Sequence, residues 1–327
     1  CAQLGFRIAD ETAERIQRDA DLVTTMSQER VRDELMGLMA EPNVVSSLRL
    51  LDRLGLLSHV IVELDQTRGV GQPKEHHWDV FNHIIETAGQ VERLLQGPRD
   101  RGDFVRDTMP RFPSMEGHFA QEASDGHSRL TLLKFAGLRH DGAKPATKTV
   151  ESTGRIRFLG HHIVGAEVSV SILGRLRFSG RGISLVSCLV QHHLRPGQMS
   201  QSGELPTRKA VYRYYRDVGD AAIDTLYLNL ADFLAARGPA LNEADWAGHC
   251  RVVGHILEEG AAMTSNETLP RLVDGHEIME LLALPPGPKV GELLDFVIEA
   301  QASGEIASKE EAVHLVKDKM SAGGRGA

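Results

Sequence analysis

His140 and Asp141 stand side by side at the end of an apolar, helix-like run, Leu132-Leu-Lys-Phe-Ala-Gly-Leu138, with Lys144 and Pro145 just beyond. Adjacent residues cannot share one face of a helix, but at a helix end both side chains can turn towards one cation. Neutral imidazole together with carboxylate suits a borderline-hard divalent metal. Alone, such a pair is a weak signal, because ordinary helix ends supply many. Its weight depends on what the other segments bring to it.

Four other segments carry the same residue types. Around His83, apolar residues at Val80, Phe81, Ile84, Ile85, Ala88 and Val91 have helical spacing, which places the imidazole beside an apolar face. His161 opens a further helix, and His193 closes another. Asp232 lies inside Leu226-Tyr-Leu-Asn-Leu-Ala-Asp-Phe-Leu-Ala235. A buried carboxylate without a partner is costly, so Asp232 asks for a cation or strong donors.

The order His83, His140-Asp141, His161, His193, Asp232, each part on a separate helix, resembles the HD superfamily of metal-dependent phosphohydrolases. Flanking residues support the resemblance: Lys144 after Asp141, Gly160-His-x-x-x-Gly-Ala-Glu167, His193-Leu-Arg-Pro196 and Leu230-Ala-Asp-Phe-Leu-Ala235. The family usually reads His-Asp, a bulky apolar residue, Gly, Lys. Gly142-Ala143 replace that order, so the loop carrying Lys144 is expected to pack differently. The resemblance implies an all-α, multi-helical domain in which His83, His140, Asp141 and Asp232 hold a divalent metal (Mg, Mn, Ni or Fe). His161 and His193 would bind a second ion or meet the phosphate, and Asp141, His161 and Lys144 would act in catalysis. The neighbours His162 and His192 are left out, because the family pattern puts the ligand at the other member of each pair.

With 327 residues and 41% apolar content, the chain can bury a substantial core. No run has the length of a membrane span, and the start lacks the pattern of a secretory signal. Three cysteines, Cys1, Cys188 and Cys250, without CxxC spacing, argue against a zinc finger or disulfide framework and fit a cytoplasmic location. A formal net charge of -8 excludes a globally basic nucleic-acid binder while allowing local basic patches.

In chain order, residues 1–65 read as helices. Asp10 or Thr12 is a candidate cap for Glu14–Val23, Ser27 leads into Val31–Met39, and Val44–Leu57 has helical spacing with Gly55 as a stop. Residues 66–240 hold the HD segment. Within it, Gln96–Ser128 has no sustained period and reads as a long loop containing His118 and His127. Arg155, Arg157, Arg175, Arg177 and Arg181 bracket the His161 helix, as phosphate receivers or as a solvated rim. Lys209-Ala-Val-Tyr-Arg-Tyr-Tyr-Arg216 interleaves bases and aromatics, with helical spacing that favours packing of the tyrosines. Residues 241–327 form a helical tail. There Asp274–Leu294 reads as helix, Pro-Gly turn and second helix near Pro288, exposing amides at a helix start that suits a phosphate.

Ser27, Glu29, Arg30, Val31, Glu34 and Leu35 at the beginning, and Asp274, Gly287, Pro288 and Gly291 in the tail, resemble the neck, body and tail of bacterial tRNA nucleotidyltransferases and poly(A) polymerases. This second resemblance implies RNA contact by Gly287, Lys289 and Gly291, a tRNA, RNA or nucleotide phosphoester as partner, and room for a homodimer. Those enzymes polymerise with a Gly-Ser loop and an Asp-x-Asp pair on a strand. Asp19-Ala-Asp21 has the spacing but lies in a helical stretch, and Gly69-Val-Gly71 lacks the strand and helix of a phosphate loop. Two readings follow. One is a phosphohydrolase acting on phosphomonoesters or 2′,3′-cyclic phosphates of RNA ends or nucleotides. The other is an RNA-holding body with a vestigial pocket; the complete ligand set favours the first. Since two-metal polymerisation needs paired carboxylates beside a phosphate-holding loop, this chain by itself should incorporate neither CTP nor ATP into tRNA in a template-independent assay.

Overall fold

A computed structural model describes residue 1 and residues 5–96, 102–200, 204–265 and 271–323. It is all-helical as expected, 70% helix and 4% strand. The strands described form two antiparallel hairpins, Glu122–Ser124 with His127–Ser128 and Lys148–Val150 with Ile156–Phe158. Contacts group the chain into two compact units: Cys1–Gln198 with Asp220–Val253, and Met199–Gly219 with Gly254–Ala327.

The first unit is built around the helices Val80–Leu95 and Arg129–Arg139, which pack on each other and on Ala222–Arg237. Asp79 caps the first of these by accepting the Asn82 amide at 2.9 Å. Its inward stripe, Val80, Phe81, Ile84, Ile85, Ala88, Val91 and Leu94, is buried as the spacing requires. Ser128 caps Arg129–Arg139, which is buried on nearly every side, including its three long cations, Arg129, Lys134 and Arg139. Lys134 Nζ donates to the Met39 and Glu41 carbonyls and to Glu92, and Glu92 in turn accepts the Asn43 and Val44 amides. Arg129 is matched by Asp224, 2.6 Å away, and by Asp220. These pairings let a helix with charged residues cross the core.

Close approach at the crossing needs a residue without a side chain. A Cβ on Gly137 would lie 3.2 Å from the Ala88 backbone nitrogen, a neighbour that cannot swing away. Gly165 serves likewise where His161–Arg175 meets Gly180–His192: a Cβ there would be 3.2 Å from Val190 Cγ1 and 3.6 Å from the His140 carbonyl oxygen. The two glycines therefore set the spacing of the helices that present His83, His140 and His161.

Two expectations change. The first helix is Asp10–Arg18, without a side-chain cap, followed by a 3₁₀ segment Ala20–Thr25, in place of one helix over Glu14–Val23. The apolar positions of that stretch are too sparse to bury a continuous face: among them only Ala20 is buried. Gln96–Ser128 is not one long loop, for it contains the helices Phe104–Thr108 and Met115–Ala120 and the first hairpin; residues 97–101 lie outside the described residues. These elements are too short to show a period, and they are held by tertiary contacts such as Trp246 Nε1 to the Val105 carbonyl at 3.1 Å. The helix before Val44–Arg53 runs over Gln28–Ala40, and Gly55, at φ 74°, ends the following stretch.

In the second unit, Gly275–Leu282, Pro288–Ala302 and Lys309–Gly323 enclose Val273, Ile278, Val290, Leu293 and Val297. Asp274 and Glu277 form a reciprocal capping box at 2.9 Å in each direction. Arg208–Val218 buries Tyr214, as its helical spacing suggested. Gly137→Val is expected to lower stability by about 2 kcal/mol through overpacking, read as a fall in the denaturant midpoint. Gly37→Ala, where a Cβ meets nothing within 4 Å, should leave the midpoint unchanged or raise it.

Candidate metal centre

Five helices bring their ends or inner faces to one buried point. His83 lies on Val80–Leu95, His140 caps Arg129–Arg139 with Asp141 following, His161 begins His161–Arg175, His193 caps Gly180–His192, and Asp232 lies on Ala222–Arg237. His83, His140 and His193 are fully buried, Asp141 and His161 nearly so; the Asp232 side chain retains 18% exposure.

The distances define two groups sharing Asp141. His83 Nε2 is 2.9 Å from Asp232 Oδ1, 3.2 Å from Asp141 Oδ2 and 3.2 Å from His140 Nε2. His140 Nε2 is 3.3 Å from Asp141 Oδ2 and 3.4 Å from Asp232 Oδ1. On the other side, Asp141 Oδ1 is 3.1 Å from His161 Nε2 and 3.6 Å from His193 Nε2. Lys144 Nζ lies 2.5 Å from Asp141 Oδ2 and donates to Gln72 Oε1 at 2.6 Å. The Gly142-Ala143 loop therefore still brings Lys144 to the carboxylate.

Backbone carbonyls fix the ring orientations. Nδ1 of His140, His161 and His193 lies 2.8, 2.6 and 2.7 Å from the carbonyls of Gly137, Phe158 and Val190. A carbonyl can only accept, so each Nδ1 carries the proton and a neutral ring offers its Nε2 lone pair inward. His161 Nε2, His193 Nε2 and Asp141 Oδ1 are buried and have no hydrogen-bond partner among the described residues. Acceptors facing acceptors in a dry site repel unless a cation lies between them. A divalent ion fits this donor set, and the outer hydrogen bonds are those that orient metal-binding imidazoles.

The electrostatics show the same demand for positive charge. Burial opposes a charge on His140, but Asp141 and Asp232 outweigh it and hold the imidazolium up at about 10. A proton and a divalent ion therefore compete for its Nε2. Burial pulls the Asp141 carboxyl upward, yet His140 and Lys144 hold it well below the usual carboxylate range; His140 and His83 do the same for Asp232. Burial keeps His193 below the ordinary imidazole value.

Other histidines fall elsewhere. His162 and His192 lie outside both groups. His118 Nε2 is 3.3 Å from Asp224 and His127 Nε2 is 3.8 Å from Asp33. Of the bracketing arginines, Arg175 pairs with Glu63 at 2.7 and 2.9 Å, while Arg157 lines the cavity at the metal groups. Gly287, Lys289 and Gly291 belong to the second unit: Gly287 precedes Pro288–Ala302, and Lys289 Nζ is 2.9 Å from exposed Glu292. Sequence reasoning missed His76, Asn229 and His249, which line the cavity, and Gln72, which accepts from Lys144. His76 was visible in Glu75-His-His-Trp78, although nothing in its spacing links it to the site.

A buried His/Asp constellation carried on helix ends in an all-helical unit is HD-like. The chain is homologous, over nearly its whole length, to tRNA nucleotidyltransferases of the CCA- and A-adding kind. It is 32% identical over 96% of its length to the A-adding tRNA nucleotidyltransferase of Deinococcus radiodurans, and 33% identical over 95% to the CC-adding tRNA nucleotidyltransferase of Thermus thermophilus. It spans 64% and 62% of those proteins. A bifunctional uridylyltransferase/uridylyl-removing enzyme of Mycobacterium tuberculosis is 26% identical over 95% of the chain, which covers 34% of that enzyme. Residues 5–67 match the family described as a probable RNA- and SrmB-binding site of polymerase A. The fold is that of the Bacillus stearothermophilus CCA-adding enzyme solved with CTP (TM-score 0.51, 16% identity, 100% of this chain and 60% of that one).

His140→Ala or Asp141→Ala should strip a bound divalent ion during purification, as loss of one ligand leaves so small a set too weak. His118→Ala should leave metal content unchanged, and elemental analysis of the purified variants reads both.

Proposed function

We propose that the chain is an HD-type, metal-dependent phosphohydrolase acting on phosphomonoesters or 2′,3′-cyclic phosphates of nucleotides or RNA ends. The observation that carries this reading is the inward set of Nε2 lone pairs and carboxylate oxygens, fixed by outward Nδ1–H bonds. His83, His140, Asp141 and Asp232 would hold one divalent ion, and Asp141, His161 and His193 offer ligands for a second. Bound there, such an ion supplies Lewis acidity at the phosphoryl oxygens and a nucleophile competent at neutral pH.

The chain's own groups do the rest. Lys144 has three N–H donors, of which Asp141 and Gln72 occupy two. The third is left for a non-bridging phosphoryl oxygen, and Gln72 keeps the ammonium turned towards the cavity that it lines. Asp141, braced by Lys144, keeps its two oxygens apart, one for each group of imidazoles. Enclosure of His161 and Asp141 at the cavity floor excludes bulk water and strengthens these charge contacts. A relative whose name joins uridylyl transfer to uridylyl removal, and which this chain matches over 95% of its length, supports a hydrolytic role for the region.

RNA contact is assigned to the segment matching the polymerase A binding family and to Gly287, Lys289 and Gly291, exposed residues at the positive start of Pro288–Ala302.

Asp232→Asn keeps size and hydrogen bonding but removes the anchoring charge. It should abolish divalent-metal-dependent phosphoester hydrolysis, measured on a panel of monoesters, diesters and cyclic phosphates. Lys289→Glu should weaken RNA binding and flatten its salt dependence while leaving small-substrate hydrolysis near the wild-type rate. Metal-loaded protein that hydrolyses none of the panel would overturn the proposal.

A further inference from the structure

The five arginines that bracket the His161 helix divide sharply. Arg175 is held by Glu63 and the Val60 carbonyl, and Arg155, Arg177 and Arg181 are exposed and off the cavity wall. Arg157 lines the cavity that opens onto Asp141, Lys144, His161 and Asp232. At about 550 Å³ this cavity is much larger than a phosphoryl group, so a wall residue meets a phosphate on the floor only if it stands close to that floor. Arg157 is tied to the floor through the next residue. Phe158 gives its carbonyl to His161 Nδ1 at 2.6 Å, and its ring centroid is 5.4 Å from Lys144 Nζ.

The hairpin that carries Arg157 also supplies its counter-charge. Thr149 pairs with Arg157 and Val150 with Ile156, and beyond them the Glu151 amide donates to the Arg155 carbonyl at 2.9 Å. Side chains alternate along a strand, so Glu151 shares a face with Thr149 and lies diagonally across from Arg157. There its carboxylate pairs with Arg157 Nε. The side chains remain 39% and 40% exposed, and the Nε contact lacks the alignment of a hydrogen bond. No hydrogen bond of the two terminal guanidinium nitrogens occurs among the described residues. An exposed ion pair of this kind shifts an equilibrium by no more than about fivefold. A guanidinium can instead hold two phosphoryl oxygens at once, in a fork of short, charge-assisted hydrogen bonds. One contact through Nε leaves that fork unused.

We infer that Arg157 is a substrate-binding residue of this cavity, and that Glu151 competes with the substrate's phosphoryl group for its guanidinium. Binding exchanges a loose ion pair for a forked one: Arg157 meets the phosphate from the wall and Lys144 meets it from the floor. A ligand without a strongly anionic group leaves the Glu151 pair intact, so the carboxylate sets a charge threshold for capture. The inference rests on the phosphohydrolase reading for the class of ligand, and adds to it the residue pair that selects for charge.

The test is a double-mutant cycle on equilibrium binding of inorganic phosphate to the full chain in the presence of Mn²⁺. Arg157→Gln is expected to weaken binding about tenfold, the range of a hydrogen bond to a charged group. Glu151→Gln should tighten it about threefold. The double variant should match Arg157→Gln within a factor of about two, because Glu151 acts only through Arg157. Arg157→Lys, which keeps the charge and loses the fork, should recover only part of the affinity. Neither paired strand of the hairpin has a buried residue, so these substitutions leave the core untouched. Unchanged affinity in Arg157→Gln would overturn the inference, as would a protein that binds no phosphate. An equal gain from Glu151→Gln in the Arg157→Gln background would overturn the competition, since Glu151 would then act on the ligand directly. Variant-sensitive phosphate binding without hydrolysis of any phosphoester would keep Arg157 in the site and remove the hydrolase assignment. Hydrolysis with phosphate binding indifferent to Arg157→Gln would do the reverse.

Discussion

Asp141 is a carboxylate in a place where a carboxylate is expensive. It is 1% exposed, yet its two oxygens lie within 3.6 Å of His83, His140, His161, His193 and Lys144. Burial of one uncompensated charge costs several kcal/mol or more by the usual range, so the surrounding helices must deliver positive charge or a cation to it. The rest of the first unit follows from that demand. Helix ends supply the imidazoles, because there the backbone carbonyls are free to take Nδ1–H and turn each ring inward. Glycines at the crossings allow those ends to converge.

The same core carries other buried cations, and each is handled differently. Arg129 has a carboxylate partner in Asp224, and Lys134 has Glu92 with two carbonyls. Arg129 ties two site helices to each other, and Lys134 ties its helix to the end of Gln28–Ala40. Breaking one partner would strand a buried charge, a larger loss than the pair's own net contribution. These contacts hold the frame; the cluster at Asp141 is left with lone pairs that nothing in the frame satisfies.

Legibility in the sequence followed local encoding. The helices at Val80–Leu95 and Ala222–Arg237 were readable because their apolar spacing or runs are long, and His83, His140, Asp141, His161, His193 and Asp232 stood out because ligand residue types recur in order at their ends or inner faces. The Phe104–Thr108 and Met115–Ala120 helices were not readable: five or six residues cannot display a period, and long-range contacts hold them. Gln72, Asn229 and His249 were equally silent. An amide or imidazole gains meaning at such positions only when tertiary packing removes its water and leaves one atom without a partner.

The departure at Gly142-Ala143 has a physical counterpart in Arg139. This arginine is fully buried, none of its three guanidinium nitrogens has a hydrogen-bond partner among the described residues, and burial pulls it down to about 10. A Cβ on Gly142 would lie 2.9 Å from Arg139 Nη2 and 3.0 Å from its Cζ. The guanidinium thus occupies the space that a side chain at 142 would need. A side chain at 142 and the guanidinium as it lies compete for the same space, and in this chain the arginine fills it. Lys144 is spared the consequence: the turn Asp141 carbonyl to Lys144 amide closes at 3.0 Å, and its ammonium reaches Asp141 and Gln72. The loop chemistry has changed while the position of the cation it delivers has been kept, because the demand is set by the buried carboxylate and not by the residues between.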